Sequence, residues 1–377
     1  MNDPTRLASL DALRGFAIAS MVLVNNPGDW GHIHAPLAHA KWNGWTFTDT
    51  VFPFFLFASG VAAALSIGQH RLEGAAQGAL LARAARRAAV IFLVGVALNL
   101  VPSFELSTVR IPGVLQRIAL CAIICAPFVI WGGSRSALAG IAALFFLYTV
   151  PMLFVPVPGP DGVVAAGRLE PGRDYGAWLD REVFGAHLWS QSRTWDPEGL
   201  VSTLPAAATM LFGVLTGHSL RGPAARSSRS GAMAIAGVVF LVLGLALDTA
   251  FIPINKNLWT PSYAVFMTGW ALLALALLHA FTDESTAPVR DRARRFVLPL
   301  TIFGMNALFL FAFSGLVARL LGAIHLGDLT AKARVYEPFR ALPLAPENAS
   351  LAFAVAFEAA MFAVALFMWR KRWFVKA

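Results

Sequence analysis

Residues 51–67, with the sequence VFPFFLFASGVAAALSI, contain no charged, amide or histidine side chain. They belong to one of ten apolar runs of about twenty residues, the length that an α-helix needs to cross about 30 Å of hydrocarbon. The chain has 377 residues, of which 57% are hydrophobic and 14% charged, whereas soluble domains have about 45–50% apolar and about 25% charged residues. The composition therefore predicts a polytopic membrane protein and excludes the disordered, collagen-like and disulfide-scaffold classes.

The hydropathy pattern predicts one all-α domain over residues 1–377, built as a bundle of about ten transmembrane helices. The predicted spans are about 10–25, 48–67, 85–101, 111–131, 137–156, 199–219, 232–252, 258–281, 297–321 and 349–369. The longest connection, residues 157–198, is expected to form a large outer loop. No small-residue cleavage site closes the first apolar run before Asn25, so we expect an uncleaved first span and not a signal peptide.

The distribution of arginine and lysine predicts the orientation, because cytoplasmic loops collect these residues. With the N-terminus inside, the inner loops and the tail carry Arg71, Arg83, Arg135, Arg221, Arg226, Arg229, Arg290, Arg292, Arg294, Arg295, Arg370, Lys371, Arg372 and Lys376. Loop 157–198 on the opposite side has four arginines against seven acidic residues. Both termini are therefore expected in the cytoplasm. The same bias explains the net charge of +9, so no nucleic-acid partner is expected.

The first predicted span carries polar residues along one face. Asp11 and Arg14 are three positions apart, so they share a helix face and can pair. Asn25 follows Arg14 by eleven positions, or three helical turns, which returns it to that face near the outer end. Ionisable groups inside spans usually face a partner or a cavity. A buried ion pair with a helix-end amide is the alternative explanation.

The outer segment after the first span contains His32, His34 and His39. His32 and His34 form an H-x-H pair without a spaced carboxylate ligand, so no metal site is expected. His39 stands ten positions before Asp49, and a histidine within folding reach of a carboxylate is typical of a general base. An interfacial histidine among belt tryptophans is the competing interpretation.

The fourth predicted span opens with RIPGVLQR, residues 110–117. Arg110 and Arg117 are seven positions apart and lie on one helix face, with Gln116 beside Arg117. By helical rise, Arg117 lies about 10 Å inside the span, where a charge is costly unless it meets an anion or an acid. Together with further amides and acids in the spans, this pattern predicts a polar cavity in the bundle.

Five blocks of sequence resemble one known family. They are SLDALRGFAIASMVLVN (9–25), HAKWNGWTFTDTVFPFFLF (39–57), VRIPGVLQRI (109–118), TWDPEGLVSTLPA (194–206) and INKNLWTPSYAVF (254–266). In this order they are similar to the heparan-α-glucosaminide N-acetyltransferase family, within the transmembrane acyltransferase superfamily. The resemblance is that of a bacterial member. From the resemblance we expect this chain to differ from the animal enzymes by the absence of their N-terminal luminal domain and extra first helix.

The resemblance implies an integral enzyme of the bacterial cytoplasmic membrane, with a site reached from both sides. It implies transfer of acetyl from cytosolic acetyl-CoA to the amine of a glucosamine-type sugar on the outer, periplasmic side, without a metal. The family's histidine before W-N-G corresponds to His39, its aspartate before V-F-P to Asp49, and its asparagine at the end of the first span to Asn25. The stretch from Asn25 to His39 is longer than expected, so His32 and His34 stay as alternatives.

The remaining site assignments follow the polar residues of the same blocks. Contacts to acetyl-CoA are assigned to Asp11, Arg14, Gln116 and Arg117, and contacts to the acceptor sugar to Trp42, Asn43, Arg110 and Asn257. Partners are therefore acetyl-CoA, an amino sugar and the lipid bilayer, and homodimer formation stays open. A multi-span sugar transporter is the alternative function, because intramembrane charges also mark transport pathways.

The orientation is tested by single-cysteine labelling with a membrane-impermeant maleimide. We expect Glu170→Cys to react in intact cells and Arg226→Cys to react only after permeabilisation, because the arginine bias places loop 157–198 outside. The opposite labelling pattern would overturn the assigned orientation.

Overall fold

The computed structural model describes residues 7–72, 74–221 and 229–375. Arg226 and Lys376, which entered the orientation argument, lie outside these ranges. The described helices are α1 (Ala8–Val24), α2 (Val51–Leu72), α3 (Gln77–Leu100), α4 (Val114–Ile130), α5 (Ser134–Phe154), α6 (Tyr175–Phe184), α7 (Leu200–Arg221), α8 (Arg229–Ala250), α9 (Pro261–His279), α10 (Ala287–Phe296), α11 (Leu298–Met305), α12 (Ala307–Ala323), α13 (Ala331–Arg340) and α14 (Pro346–Arg370).

Strands are few and short among the described residues. β1 (Val157–Pro158) pairs antiparallel with β2 (Val164–Ala165), and β3 (His325–Leu326) pairs antiparallel with β4 (Leu329–Thr330). The prediction of an all-α protein is confirmed.

Each of the ten predicted spans overlaps a helix or a helix pair. Six described helices are long and apolar enough to cross a membrane, or seven if a bent pair is one span. Helices α1 and α4 have only 17 residues each, and three arginines, Arg83, Arg86 and Arg87, lie in the first half of α3. The count of ten spans and the cytoplasmic termini therefore stay predictions.

The apolar outer surface of α8 fits a membrane setting. Only 22% of its apolar window is buried, and the large side chains Ile235 and Val242 are 70% and 62% exposed. Exposed apolar surface of this extent is unfavourable in water and is typical of contact with lipid.

The predicted span 297–321 is interrupted by a bend in the structure, because α11 and α12 meet at an angle of 80°. The bend is at Asn306, whose φ of −124° and ψ of 35° interrupt the helix. Its side chain donates to the carbonyl oxygen of Trp373 over 3.0 Å and accepts from the amide of Val375 over 2.9 Å. Hydrogen bonds to the segment after α14 thus stabilise the break.

The chain divides into two compact units, of which the first comprises the described residues within 1–40, 45–55 and 274–377. In this unit α1 packs against α11, α12 and α14. Gly15 and Gly304 lie where α1 crosses α11, and a Cβ on either would collide with a backbone carbonyl of the other helix. The two glycines therefore permit the close contact of backbones that membrane helices often use.

The second unit comprises the described residues within 41–44 and 56–273. Here α4 packs against α3 and α7, while α5 and α6 also pack against α7. A buried apolar cluster of Tyr148, Met152, Val201, Ile252 and Leu258 joins α5 and α7 to the segment after α8. The long loop 157–198 contains the helix α6, and the Asp174 side chain caps this helix by accepting from the amide of Ala177.

Candidate functional site

A short loop before α2 folds around the carboxylate of Asp49. A 3₁₀ turn over Phe47–Thr50 begins at Thr46, which shares a capping box with Asp49. One carboxylate oxygen of Asp49, Oδ2, accepts from the amides of Ala40 (3.1 Å) and Thr46 (3.0 Å) and from the Thr46 hydroxyl (3.1 Å). The hydroxyl of Thr46 also donates to the carbonyl of Ala38 over 2.6 Å. These bonds hold a buried carboxylate in one orientation.

The other oxygen of Asp49 contacts a histidine. Its Oδ1 lies 2.6 Å from Nδ1 of His39. The Asp49 side chain is fully buried, whereas that of His39 is 47% exposed. In the neutral imidazole, Nδ1–H then donates to the carboxylate, and Nε2 is the nitrogen that can accept a proton.

The other two histidines of this segment bond elsewhere. His32 Nδ1 lies 2.8 Å from Asp29 Oδ2, and His34 Nε2 lies 2.9 Å from Asn348 Oδ1. Of the three, it is His39 that contacts Asp49. No group of three or more metal-ligating side chains that could hold an ion occurs within the described ranges.

The remaining predicted residues of this unit lie on α1. Asn25 forms the C-terminal cap of α1 and is exposed. Asp11 and Arg14 lie near the start of the helix, with 4.0 Å between the nearest charged atoms, and the Arg14 side chain is 24% exposed. The pairing expected from their spacing is therefore present.

Sequence reasoning missed the residue that fixes the start of α1. The carboxylate of Asp283 accepts from the amides of Ala8 (3.2 Å) and Ser9 (3.0 Å). Arg294 lies 3.2 Å from the same carboxylate. The sequence around Ala8 could not predict this cap, because Asp283 is 275 positions away in the chain.

In the second unit, Arg110 joins the predicted RIPG segment to loop 157–198. Its guanidinium donates to Asp196 through two nitrogens, over 2.8 and 2.5 Å, and to Glu198 over 2.6 Å. It also lies 5.9 Å from the ring centre of Trp189. Bidentate bonds of this kind are strong and directional. A contact between Arg110 and the acceptor sugar was predicted from the sequence. In the structure Arg110 is paired with Asp196 and Glu198.

The charges around Glu198 control its ionisation. Burial alone would raise the pKa of this carboxyl, but the positive charges of Arg110, Lys256 and Arg117 lower it to about 2. Glu198 is therefore ionised throughout the neutral range, and its folded-state charge depends on these cations.

Arg117 is buried, as predicted, and only part of its guanidinium is bonded. Nη2 donates to the carbonyl of Gly199 over 3.2 Å and to the hydroxyl of Ser202. The guanidinium lies 5.2 Å from the ring centre of Trp259. Its Nε and Nη1, and Nε2 of the adjacent Gln116, are buried without a hydrogen-bond partner among the described residues.

The other residues assigned to the acceptor organise nearby loops of this unit. Trp42 donates to the carbonyl of Leu169 over 2.8 Å and packs edge-on against Trp195. Asn43 accepts from the side chain of Asn255 over 3.0 Å. Asn255 is buried and also binds the amide of Leu258, so sequence reasoning selected Asn257 and missed this structural asparagine two positions earlier.

Asn257 lines a small cleft with Asp174, Asp180, Trp195, Asp196 and Ser202. Burial raises the pKa of Asp174 to about 6 and that of Asp180 to about 7. Perturbed carboxyls in a cleft often mark functional sites. The sequence alone does not mark Asp174 as a functional residue, because an aspartate before an amphipathic segment is also an ordinary helix cap.

The structure therefore places the predicted residues in two groups. Asp11, Arg14, Asn25, His39 and Asp49 lie in the first unit; Trp42, Asn43, Arg110, Gln116, Arg117 and Asn257 lie in the second.

Comparisons with known proteins agree with the motifs. Residues 6–171 match the family model described as heparan-α-glucosaminide N-acetyltransferase, catalytic. Heparan-α-glucosaminide N-acetyltransferase of Homo sapiens is 28% identical over 332 residues, covering 74% of this chain and 49% of the relative. The Mus musculus protein of that name is 28% identical over 330 residues, with the same coverage. The chain spans about half the length of the curated relatives that it matches.

The Arg110 network should stabilise the protein. Arg110→Ala leaves Asp196 and Glu198 buried without their cation, which typically costs about 3–5 kcal/mol. We expect a marked fall in the thermal unfolding temperature of the detergent-purified protein. Arg173→Ala, which breaks an exposed ion pair with Asp161, is the matched control and should leave that temperature nearly unchanged. Equal effects of the two substitutions would contradict a stabilising role for Arg110.

Proposed function

We propose that this chain is a membrane-embedded acetyltransferase of the heparan-α-glucosaminide N-acetyltransferase family, which the match over residues 6–171 and the two relatives of that name support. Its acetyl donor is acetyl-CoA, and its acceptor is the amine of a glucosamine-type sugar. The enzyme is placed in a bacterial cytoplasmic membrane, with ten spans and both termini in the cytoplasm. The observation that carries the proposal is the bond between His39 and the buried carboxylate of Asp49.

The imidazole of His39 acts as the general base. A sugar amine must give up a proton as its nitrogen attacks the thioester carbonyl carbon, and Nε2 of His39 accepts that proton. Asp49 holds Nδ1–H and stabilises the imidazolium that forms. The carbon–sulfur bond then breaks, the amide is formed, and the imidazolium returns its proton to the CoA thiolate. A transient acetyl-imidazole is the other route open to the same residue.

The fixed orientation of Asp49 supports this assignment. The Asp49 carboxylate accepts three hydrogen bonds on Oδ2. These bonds keep the carboxylate from rotating even when the His39 ring moves. A base held by a rigid carboxylate is prepared in the correct tautomer before substrate binds. Asn25, exposed at the end of α1, is the proposed donor to the tetrahedral oxyanion.

Arg117 and Gln116 are the proposed contacts to acetyl-CoA in the second unit. Three buried donor nitrogens on these side chains have no hydrogen-bond partner in the described part of the chain. Leaving such groups unpaired is costly, and a ligand with anionic or carbonyl oxygens would satisfy them.

Arg14 and Asp11 are the proposed contacts in the first unit. Arg14 lies about 16 Å along α1 from Asn25 by helical rise, toward the end that the arginine bias assigns to the cytoplasm. This separation suits a donor that enters from the inside and reacts toward the outside. The Arg14 guanidinium is partly exposed and is therefore accessible to a phosphate.

The histidine assignment is tested by substitution. His39→Ala should lower the rate of acetyl transfer by about 10²–10⁴-fold, the usual cost of losing a general base, while acetyl-CoA affinity is kept. Asp49→Asn should lose less. The measurement is transfer of labelled acetyl from acetyl-CoA to glucosamine by the purified protein.

His34→Ala is the matched control, because His34 belongs to the same segment but bonds to Asn348. It should keep most of the parental rate. If His34→Ala abolishes transfer and His39→Ala does not, the wrong histidine has been chosen; if neither matters, the histidine mechanism fails.

Acetyl-CoA binding is tested with Arg117→Met, which removes the charge and keeps an unbranched side chain. The ligand-free variant should still fold, because the loss of its bonds to Gly199 and Ser202 is offset by the removal of two unpaired buried donors. Its acetyl-CoA affinity should fall at least about tenfold. Arg14→Ala should also weaken acetyl-CoA binding about tenfold. Unchanged affinity in both variants, measured by calorimetry, would contradict the assigned donor site.

A further inference from the structure

The short helix α10 connects two elements that are apolar enough to cross a membrane. The first, Pro261–Glu284, contains α9 and ends three positions before α10 begins; the second is the bent pair of α11 and α12, which begins two positions after α10 ends. A helix of ten residues is about 15 Å long. With such short connections on both sides, α10 stays at the level of the lipid headgroups.

One face of α10 is bound to the protein. Arg294 donates to the carbonyl oxygen of Thr282 over 2.8 Å and to the carboxylate of Asp283 over 3.2 Å. The same carboxylate accepts from the first amides of α1. The position of α10 is therefore linked to the start of α1 through Asp283.

A second face of α10 combines basic and apolar side chains. Val289, Arg292 and Phe296 follow one another by three and four positions, which places them on one side of the helix, and Arg295 is next to Phe296. All four residues are exposed, Phe296 to 83%. Among the described residues, neither the guanidinium of Arg292 nor that of Arg295 forms a hydrogen bond or an ion pair. This face is thus free to bind a partner.

The chemistry of this face fits an anionic phospholipid surface. The sequence of α10 has four arginines against one aspartate, and arginines beside a membrane helix are attracted to anionic headgroups. Guanidinium groups bind phosphate oxygens through directional bonds. A phenylalanine exposed at this level is unfavourable in water but favourable at the boundary between headgroups and acyl chains. One occupant therefore satisfies both the arginines and Phe296.

We propose that this face of α10, formed by Val289, Arg292, Arg295 and Phe296, docks on anionic phospholipids. Headgroup phosphates bind Arg292 and Arg295, and Phe296 lies against the acyl chains. Because Arg294 joins the same helix to the cap of α1, bound lipid also stabilises the start of α1. This inference requires the membrane setting of the chain but not acetyl transfer.

A double variant, Arg292→Gln with Arg295→Gln, tests the docking, because both residues are exposed and glutamine is a good helix former. The unfolding temperature of the full-length protein in a neutral detergent is measured while phosphatidylglycerol is added. We expect the lipid to raise this temperature in the parent, as a ligand of the folded state does. The lipid concentration that gives half of the rise should be at least about tenfold higher in the double variant.

The matched control is Arg292→Lys with Arg295→Lys, which keeps both charges and should respond to the lipid as the parent does. If the glutamine variant responds at the same concentration as the parent, or if phosphatidylglycerol stabilises the parent no more than zwitterionic phosphatidylcholine does, the docking is wrong. Acetyl-CoA affinity should be equal in the parent and the glutamine variant. A fall in that affinity with an unchanged response to lipid would assign the arginines to a soluble phosphate ligand and would overturn the proposal.

Discussion

In so apolar a chain, a buried charge is tolerated only where the protein itself supplies its partners. This constraint accounts for the main polar contacts. The carboxylate of Asp283 is placed on the first amides of α1, Arg110 is placed between two acids, and Asp49 accepts bonds on both oxygens. The helices are joined at these points by directional bonds, in addition to close packing at glycines.

A few buried polar atoms do not follow this constraint. Arg117, Gln116 and Asp174 keep buried polar atoms without partners in the described residues. Unsatisfied groups of this kind reduce the stability of a ligand-free protein, and proteins retain them where a ligand completes the bonding. The unpaired donors of Arg117 and Gln116 would be satisfied by a ligand with anionic or carbonyl oxygens, such as the proposed acetyl donor.

Much of the architecture was predictable because apolar runs report helices directly. All ten predicted spans overlap helices, but the bend at Asn306 was not foreseen, since it depends on bonds to Trp373 and Val375 at the far end of the chain. The contact of His39 with Asp49 followed from a short spacing and a family motif. The cap by Asp283 was missed because it lies 275 positions from Ala8, and the local cap by Asp174 was missed because residues 157–198 were interpreted as a loop without a helix.

In the loop that orients His39, four hydrogen bonds to Asp49 come from His39, Ala40 and Thr46. Contacts between positions so close in sequence are formed quickly and with little loss of chain entropy. The geometry of the histidine–carboxylate pair is therefore set largely by neighbours within one short segment of the chain.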